Sequence, residues 1–125
     1  MISRIHSTTI AVANQDAALD FYVNTLGWSK AIDQQMGPEM RFLTVALPGD
    51  GAELVLADPS WAPEGIRPGG YTGISLISSA IDADYAALSE RGVEFTEPVQ
   101  LMPWGQKATW FRDPDGNQFF LVEEA

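Results

Sequence analysis

Apolar residues recur along this chain with two alternating periods, and the alternation sets out the elements. Residues 5–12 form a β-rich run, after which Asn14 stands where a helix N-cap belongs. Ala18, Phe21, Tyr22 and Leu26 then follow at helical spacing before Gly27, which supplies a left-handed stop. Three strand runs come next, at residues 28–34, 40–47 and 52–57, the last two joined by an Asp50-Gly51 turn. The plan then returns. A strand is expected at 72–78, a helix at 83–91 capped by Asp82 and stopped by Gly92, and strands near 93–97, 107–112 and 117–123.

This return is a repeat in the letters as well as in the pattern. Pro48-Gly49-Asp50-Gly51-Ala52-Glu53-Leu54-Val55-Leu56 reads like Asp113-Pro114-Asp115-Gly116-Asn117-Gln118-Phe119-Phe120-Leu121, each pair 65 positions apart. Within one residue, the same offset carries Thr25-Leu26-Gly27 onto Glu90-Arg91-Gly92 and Thr8-Thr9-Ile10 onto Ile74-Ser75-Leu76. The expected architecture is a single α+β domain over residues 1–125, built of two βαβββ modules at 4–58 and 70–124. Residues 59–69, punctuated by proline and glycine, form the crossover loop. The two mixed sheets are expected to curve around a cleft.

Alternate residues of a strand point to opposite faces, so one face of each sheet packs under its helix and the other is free to line a cavity. Ile10 and Val12 suit the helix side, which leaves Ser7, Thr9 and Ala11 opposite; in the second module Ile74 and Leu76 leave Gly73 and Ser75. Setting Ala46 across from Glu53 buries Leu43, Val45, Leu54 and Leu56 and puts Phe42, Thr44, Glu53 and Val55 on the open face. The 65-residue offset then assigns Lys107, Thr109, Phe111, Gln118 and Phe120 to the open face of the second module, and alternation puts Trp110 beneath the helix. A slip of one residue would invert these faces.

Composition narrows the chemistry. A hydrophobic content of 46% fills one core, and no run approaches the length of a membrane span. Met1-Ile2-Ser3-Arg4 leads straight into strand-like sequence, and the expectation is a cytoplasmic protein without a membrane partner. With no cysteine, disulfide scaffolds, thiolate metal sites and cysteine nucleophiles are excluded. Seven basic against seventeen acidic residues give a formal charge of -10, which repels nucleic acid and favours cationic ligands.

Ile10-Ala11-Val12, Phe21-Tyr22, Leu26-Gly27-Trp28, Trp104-Gly105 and Asp113-Pro114-Asp115-Gly116-Asn117 stand in an order and spacing that resembles the vicinal oxygen chelate superfamily. That group includes glyoxalase I, extradiol dioxygenases, fosfomycin resistance proteins and bleomycin-binding proteins, and the resemblance covers nearly the whole chain. Its metal-using members take one ligand, usually histidine or glutamate, from each of four strands. Carried over, those positions fall on Ser7, Val55, Gly73 and Phe120, none of which is a good ligand, so no metal and no cofactor is expected. The only histidine, His6, sits one residue before the expected ligand position.

The residues then fit three uses: a metal-independent binding protein of antibiotic-sequestering type, an enzyme of the same superfamily (lyase, isomerase or dioxygenase in type) using Glu53 or an atypical metal site, or a face that serves only as a dimer interface. Binding of a small organic, cationic or aromatic molecule is the reading adopted, with Phe42, Thr44, Glu53, Val55, Trp104, Thr109 and Phe120 as its site. Trp104 offers a stacking surface, Glu53 a carboxylate, and Trp61 in the crossover a lid. Thr9, Thr44, Ser75 and Thr109 supply hydroxyls without the base that a nucleophile needs. Exposed sheet edges, together with the resemblance, imply a homodimer, which light scattering at micromolar concentration checks and a monomer mass would refute.

Overall fold

The structure, a computed structural model, describes residues 1–49 and 51–125. The expected Asp50-Gly51 turn falls partly outside the described residues, because Asp50 is not among them. The chain divides into two compact units, Met1–Pro68 and Gly69–Ala125. No helix among the described residues is long and apolar enough to cross a membrane.

The first unit runs β1 (Ser7–Ala11), α1 (Gln15–Asp20), β2 (Ser29–Gln35), β3 (Arg41–Ala46) and β4 (Glu53–Ala57). Asn14 caps α1 by accepting a hydrogen bond from the Ala17 amide at 2.9 Å, as its position implies. Past Asp20 the helix widens into a π turn over Phe21–Thr25, in which the Leu26 amide donates to the Phe21 carbonyl. The neighbours Phe21 and Tyr22 are both buried, and Tyr22 meets Trp28 at 5.2 Å between ring centres. Gly27, at φ 81°, then turns the chain into β2 in a conformation that side chains resist.

The strands pair in the order β1-β4-β3-β2, with β1 parallel to β4 and the other pairs antiparallel. Val45 sits across from Leu54 and Thr44 across from Val55, which is the expected hairpin register. Leu43, Val45, Leu54 and Leu56 are buried along with Ile10 and Val12. Removing each such side chain from water contributes about 1.5–3 kcal/mol. Arg41 ties α1 to the sheet, donating to Asp16 at 2.7 Å and to both oxygens of Asp33 at 2.8 and 2.9 Å. That two-pronged contact holds the Asp33 carboxyl down at about 2.

The second unit repeats the plan as β5 (Gly70–Ser78), α2 (Ile81–Glu90), β6 (Glu94–Phe95), β7 (Gln100–Leu101), β8 (Lys107–Arg112) and β9 (Asn117–Glu123). Its order is β5-β9-β8-β6, the same path as in the first unit, with the short β7 pairing with the start of β8. Tyr85 of α2 meets Phe95 at 4.5 Å between ring centres, Phe95 meets Phe111 at 5.9 Å, and Phe111 stacks on Phe119 at 5.3 Å. This chain of rings marks the face of the second sheet that α2 covers.

Three local expectations need correction. Helix α2 starts at Ile81 after Ala80, and Asp82 lies inside its first turn rather than capping it. The Ser78 hydroxyl acts there instead, accepting from the Ala80 amide at 3.2 Å and donating to Asp84 at 2.5 Å. Asp82 is engaged by Lys107 at 2.8 Å, which raises the lysine's pKa. Between the strands expected near 93–97 and 107–112 lies a further one, β7, too short to leave a periodic signal.

Candidate functional site

Each unit presents a sheet face turned away from its helix, and register decides which side chains lie on it. In the first unit Val55 is the partner of both Thr9 and Thr44, so the three share a face. Phe42 and Glu53 join them by alternation, as expected, and so do Ile32 and Gln34, which sit across from Thr44 and Phe42. Neither Ile32 nor Gln34 was expected there.

At the centre of this face a bulge builds a polar relay. The β2–β3 pairing shifts register between Lys30 and Ile32, and the Ile32 amide donates to the Thr44 hydroxyl at 3.1 Å. The same hydroxyl donates to Glu53 Oε1 at 2.7 Å. Thr44, only 1% exposed, therefore accepts from the backbone and passes a proton donor to the carboxylate, which fixes where the charge of Glu53 sits. The Glu53 amide is itself held by the His6 carbonyl at 3.2 Å. Above Phe42, Trp61 lies with its ring centre 6.3 Å away.

The open face of the second unit differs from expectation. Trp110 is the partner of Phe120, whereas Thr109 is the partner of Leu121 and Phe111 of Phe119. Thr109 and Phe111, and with them Lys107, thus lie on the helix side. The Thr109 hydroxyl is spent on the Glu97 carbonyl at 2.6 Å and the side chain is fully buried. Trp110, placed under the helix by the sequence reading, is on the open face instead.

The cause is a difference of one residue between the hairpins. Val55 and Phe120 are 65 positions apart, but their partners Thr44 and Trp110 are 66 apart. The second hairpin is one residue shorter between the paired positions, which inverts every assignment on β8 if a single offset is used. Ser75, partner of Phe120, and Thr9, partner of Val55, also stand 66 apart, so the first strands carried the sign of the change.

What results is a row of three rings. Phe120 lies 5.0 Å from Trp110 and 6.4 Å from Trp104, measured between ring centres. Trp104 is 59% exposed, and its indole N–H donates to Gln106 Oε1 at 2.8 Å. Gln106 is anchored in turn by donating to the Glu123 carbonyl at 2.9 Å. An exposed tryptophan held by such a chain is a fixed stacking surface rather than a loose side chain.

Two hollows lie away from both of these ring clusters. One, of about 490 Å³, gathers at the turn of Asp113 and Asp115 with Glu94 and Arg112, which pair at 3.4 Å. The other, of about 290 Å³, lies along α1 and the π turn, between Asp16, Leu19, Val23 and Lys30. Arg112 in the first is paired with Glu94, Lys30 and Asp16 in the second with Asp33 and Arg41, and neither hollow is lined by an aromatic residue.

The residues at the four superfamily ligand positions do not fit a metal ion. Val55 and Phe120 carry no lone pair, Gly73 has no side chain, and Ser7 is left as a lone neutral hydroxyl. Among the described residues, no group of three or more histidine, cysteine, aspartate or glutamate side chains is placed to hold one.

A family model described as the glyoxalase/bleomycin resistance protein/dioxygenase superfamily matches residues 4–121. The crystal structure of a member of that superfamily from Sphaerobacter thermophilus DSM 20745 is 61% identical, with 99% of each chain covered and a TM-score of 0.94. TnmS3, an antibiotic binding protein from Streptomyces sp. CB03234, is 36% identical over 99% of this chain and 98% of its own, with a TM-score of 0.86. The uncharacterized protein YetH of Bacillus subtilis (strain 168) is 32% identical over 98% of this chain and 100% of its own. One sheet order runs twice along the chain, and the family model extends through both copies, as the motifs implied: the chain belongs to the glyoxalase/bleomycin resistance protein/dioxygenase superfamily.

Proposed function

We propose that this protein binds a small, flat organic molecule, cationic or aromatic, without a metal, and holds it rather than converting it. The observation that carries the reading is the row formed by Trp104, Phe120 and Trp110, an open aromatic surface where a catalytic member would need donor atoms. Such rings take flat ligands by stacking and cationic ones by their negative faces, at about 0.5–2 kcal/mol per contact. Taken by itself, the first unit carries a carboxylate suited to a cationic group, Glu53 oriented by Thr44, and the formal charge of -10 draws such ligands in. The likeness to TnmS3, an antibiotic binding protein, points the same way.

The test is a tryptophan-fluorescence titration with a panel of cationic and aromatic antibiotics, metal-free bleomycin among them. Saturable quenching in the wild type, weakened at least tenfold in Trp104→Ala, is expected. Equal titration of the two proteins would remove the aromatic row from the site. Consumption of the ligand by the wild type, abolished in Glu53→Gln, would replace sequestration with catalysis.

A further inference from the structure

Trp61 holds the one buried side-chain nitrogen or oxygen, among the described residues, that has no hydrogen-bond partner. Its indole ring is partly exposed, yet Nε1 is sealed from solvent. A buried N–H without an acceptor is an unmet cost, because the donor has given up water and received nothing. Folds remove such costs unless the group has a use elsewhere.

The surroundings say what the use is. Trp61 lies against Phe42, which belongs to the same open face as Thr44, Glu53 and Val55. The turn that carries it closes on itself: the Trp61 and Ala62 amides both donate to the Asp58 carbonyl, at 3.1 and 2.9 Å, and the Ser60 amide donates to Asp58 Oδ1 at 2.9 Å. With its bonds made locally, this turn is able to shift as a unit without breaking a sheet ladder.

We infer that Trp61 is a ligand-contacting, specificity-determining residue whose N–H is satisfied by a carbonyl or ether oxygen of the bound molecule, carried beside a flat group that packs against Phe42. The inference rests on the binding reading above and narrows it to ligands that combine a ring with a neutral acceptor. A cationic ring system lacking such an oxygen leaves the donor unmet and gains only the stacking.

Trp61→Phe keeps an aromatic ring and removes the donor, so two probes separate the roles. Metal-free bleomycin carries amide carbonyls beside flat rings, whereas ethidium is flat and cationic with no carbonyl. Wild type and Trp61→Phe are titrated with each by calorimetry, and thermal unfolding of the free proteins is followed in parallel. The expected result is roughly three- to tenfold weaker bleomycin binding by the variant, with ethidium unchanged. Equal bleomycin affinities overturn the inference while leaving the binding reading intact. Equal weakening of both probes in a variant that still unfolds cooperatively also overturns it, since lost ring packing rather than the lost N–H would then set the affinity. Silence of every probe against the wild type instead removes the binding reading, and this inference with it.

Discussion

At the scale of single residues, the open face of the first sheet depends on one hydroxyl. Thr44 accepts from the Ile32 amide and donates to Glu53, so Thr44→Val strips a half-buried amide of its acceptor and frees the carboxylate at once. The expected loss is about 1–3 kcal/mol in urea unfolding, with Thr44→Ser keeping most of the stability. Undiminished stability in Thr44→Val with a loss in Thr44→Ser would mean that the methyl packing matters and the relay does not. Asp33 gives a second residue-level outcome. Its folded pKa of about 2 lies below the ordinary 3.8, because Arg41 grips it. The stabilisation is therefore fully present above the ordinary value and is lost as pH falls from 3.8 towards 2. Asp33→Asn should be less stable than wild type at neutral pH, the two curves converging across that window in pH-dependent melting. Parallel curves would sever the link between this ion pair and acid stability.

Among the elements, what divides the legible from the illegible is the length of the pattern. The strands at 107–112 and 117–123 match β8 and β9 to the residue, because each is a short run rich in aromatic and β-branched residues bounded by the strong turn at 113–116. The first hairpin's register follows from the same logic. The faces of β8 escaped because apolar residues occupy both sides of it: Trp110 and Phe111 are adjacent, and composition alone gives no preference for which is turned under α2. A repeat offset filled that gap, and a hairpin shorter by one residue defeated it. The correction yields an outcome that separates the faces. Phe111→Ala, which opens a hole between Phe95 and Phe119, should cost about 3–5 kcal/mol in chemical unfolding. Trp110→Ala, on the open face, should cost distinctly less; the reverse ranking would return β8 to the register inferred from the offset.

For the molecule as a whole, one sheet order appears in both units, and the order and spacing of the motifs from Ile10-Ala11-Val12 to Asp113-Pro114-Asp115-Gly116-Asn117 carry the resemblance to the superfamily that the family model shows. The candidate site was legible in part. Phe42, Thr44, Glu53, Val55 and Phe120 lie on the faces that alternation gives them, and Trp104 lies between β7 and β8; Thr109 gives way to Trp110. Glu53's partnership with Thr44 and the unmet N–H of Trp61 had no sequence signal, since both depend on contacts between side chains whose separation in the chain carries no period. The superfamily's fold and the residues at its four carried-over ligand positions, Ser7, Val55, Gly73 and Phe120, together carry the proposed account.

Calorimetry of chelator-treated protein tests this most directly, with metal-free cationic and aromatic antibiotics in one set of titrations and nickel, zinc, manganese and iron(II) in another. The account predicts saturable heat from an organic ligand, unchanged by chelator, and only weak, non-saturating heats from the metals. A saturable, chelator-reversible metal isotherm on a protein to which no organic ligand binds would contradict it.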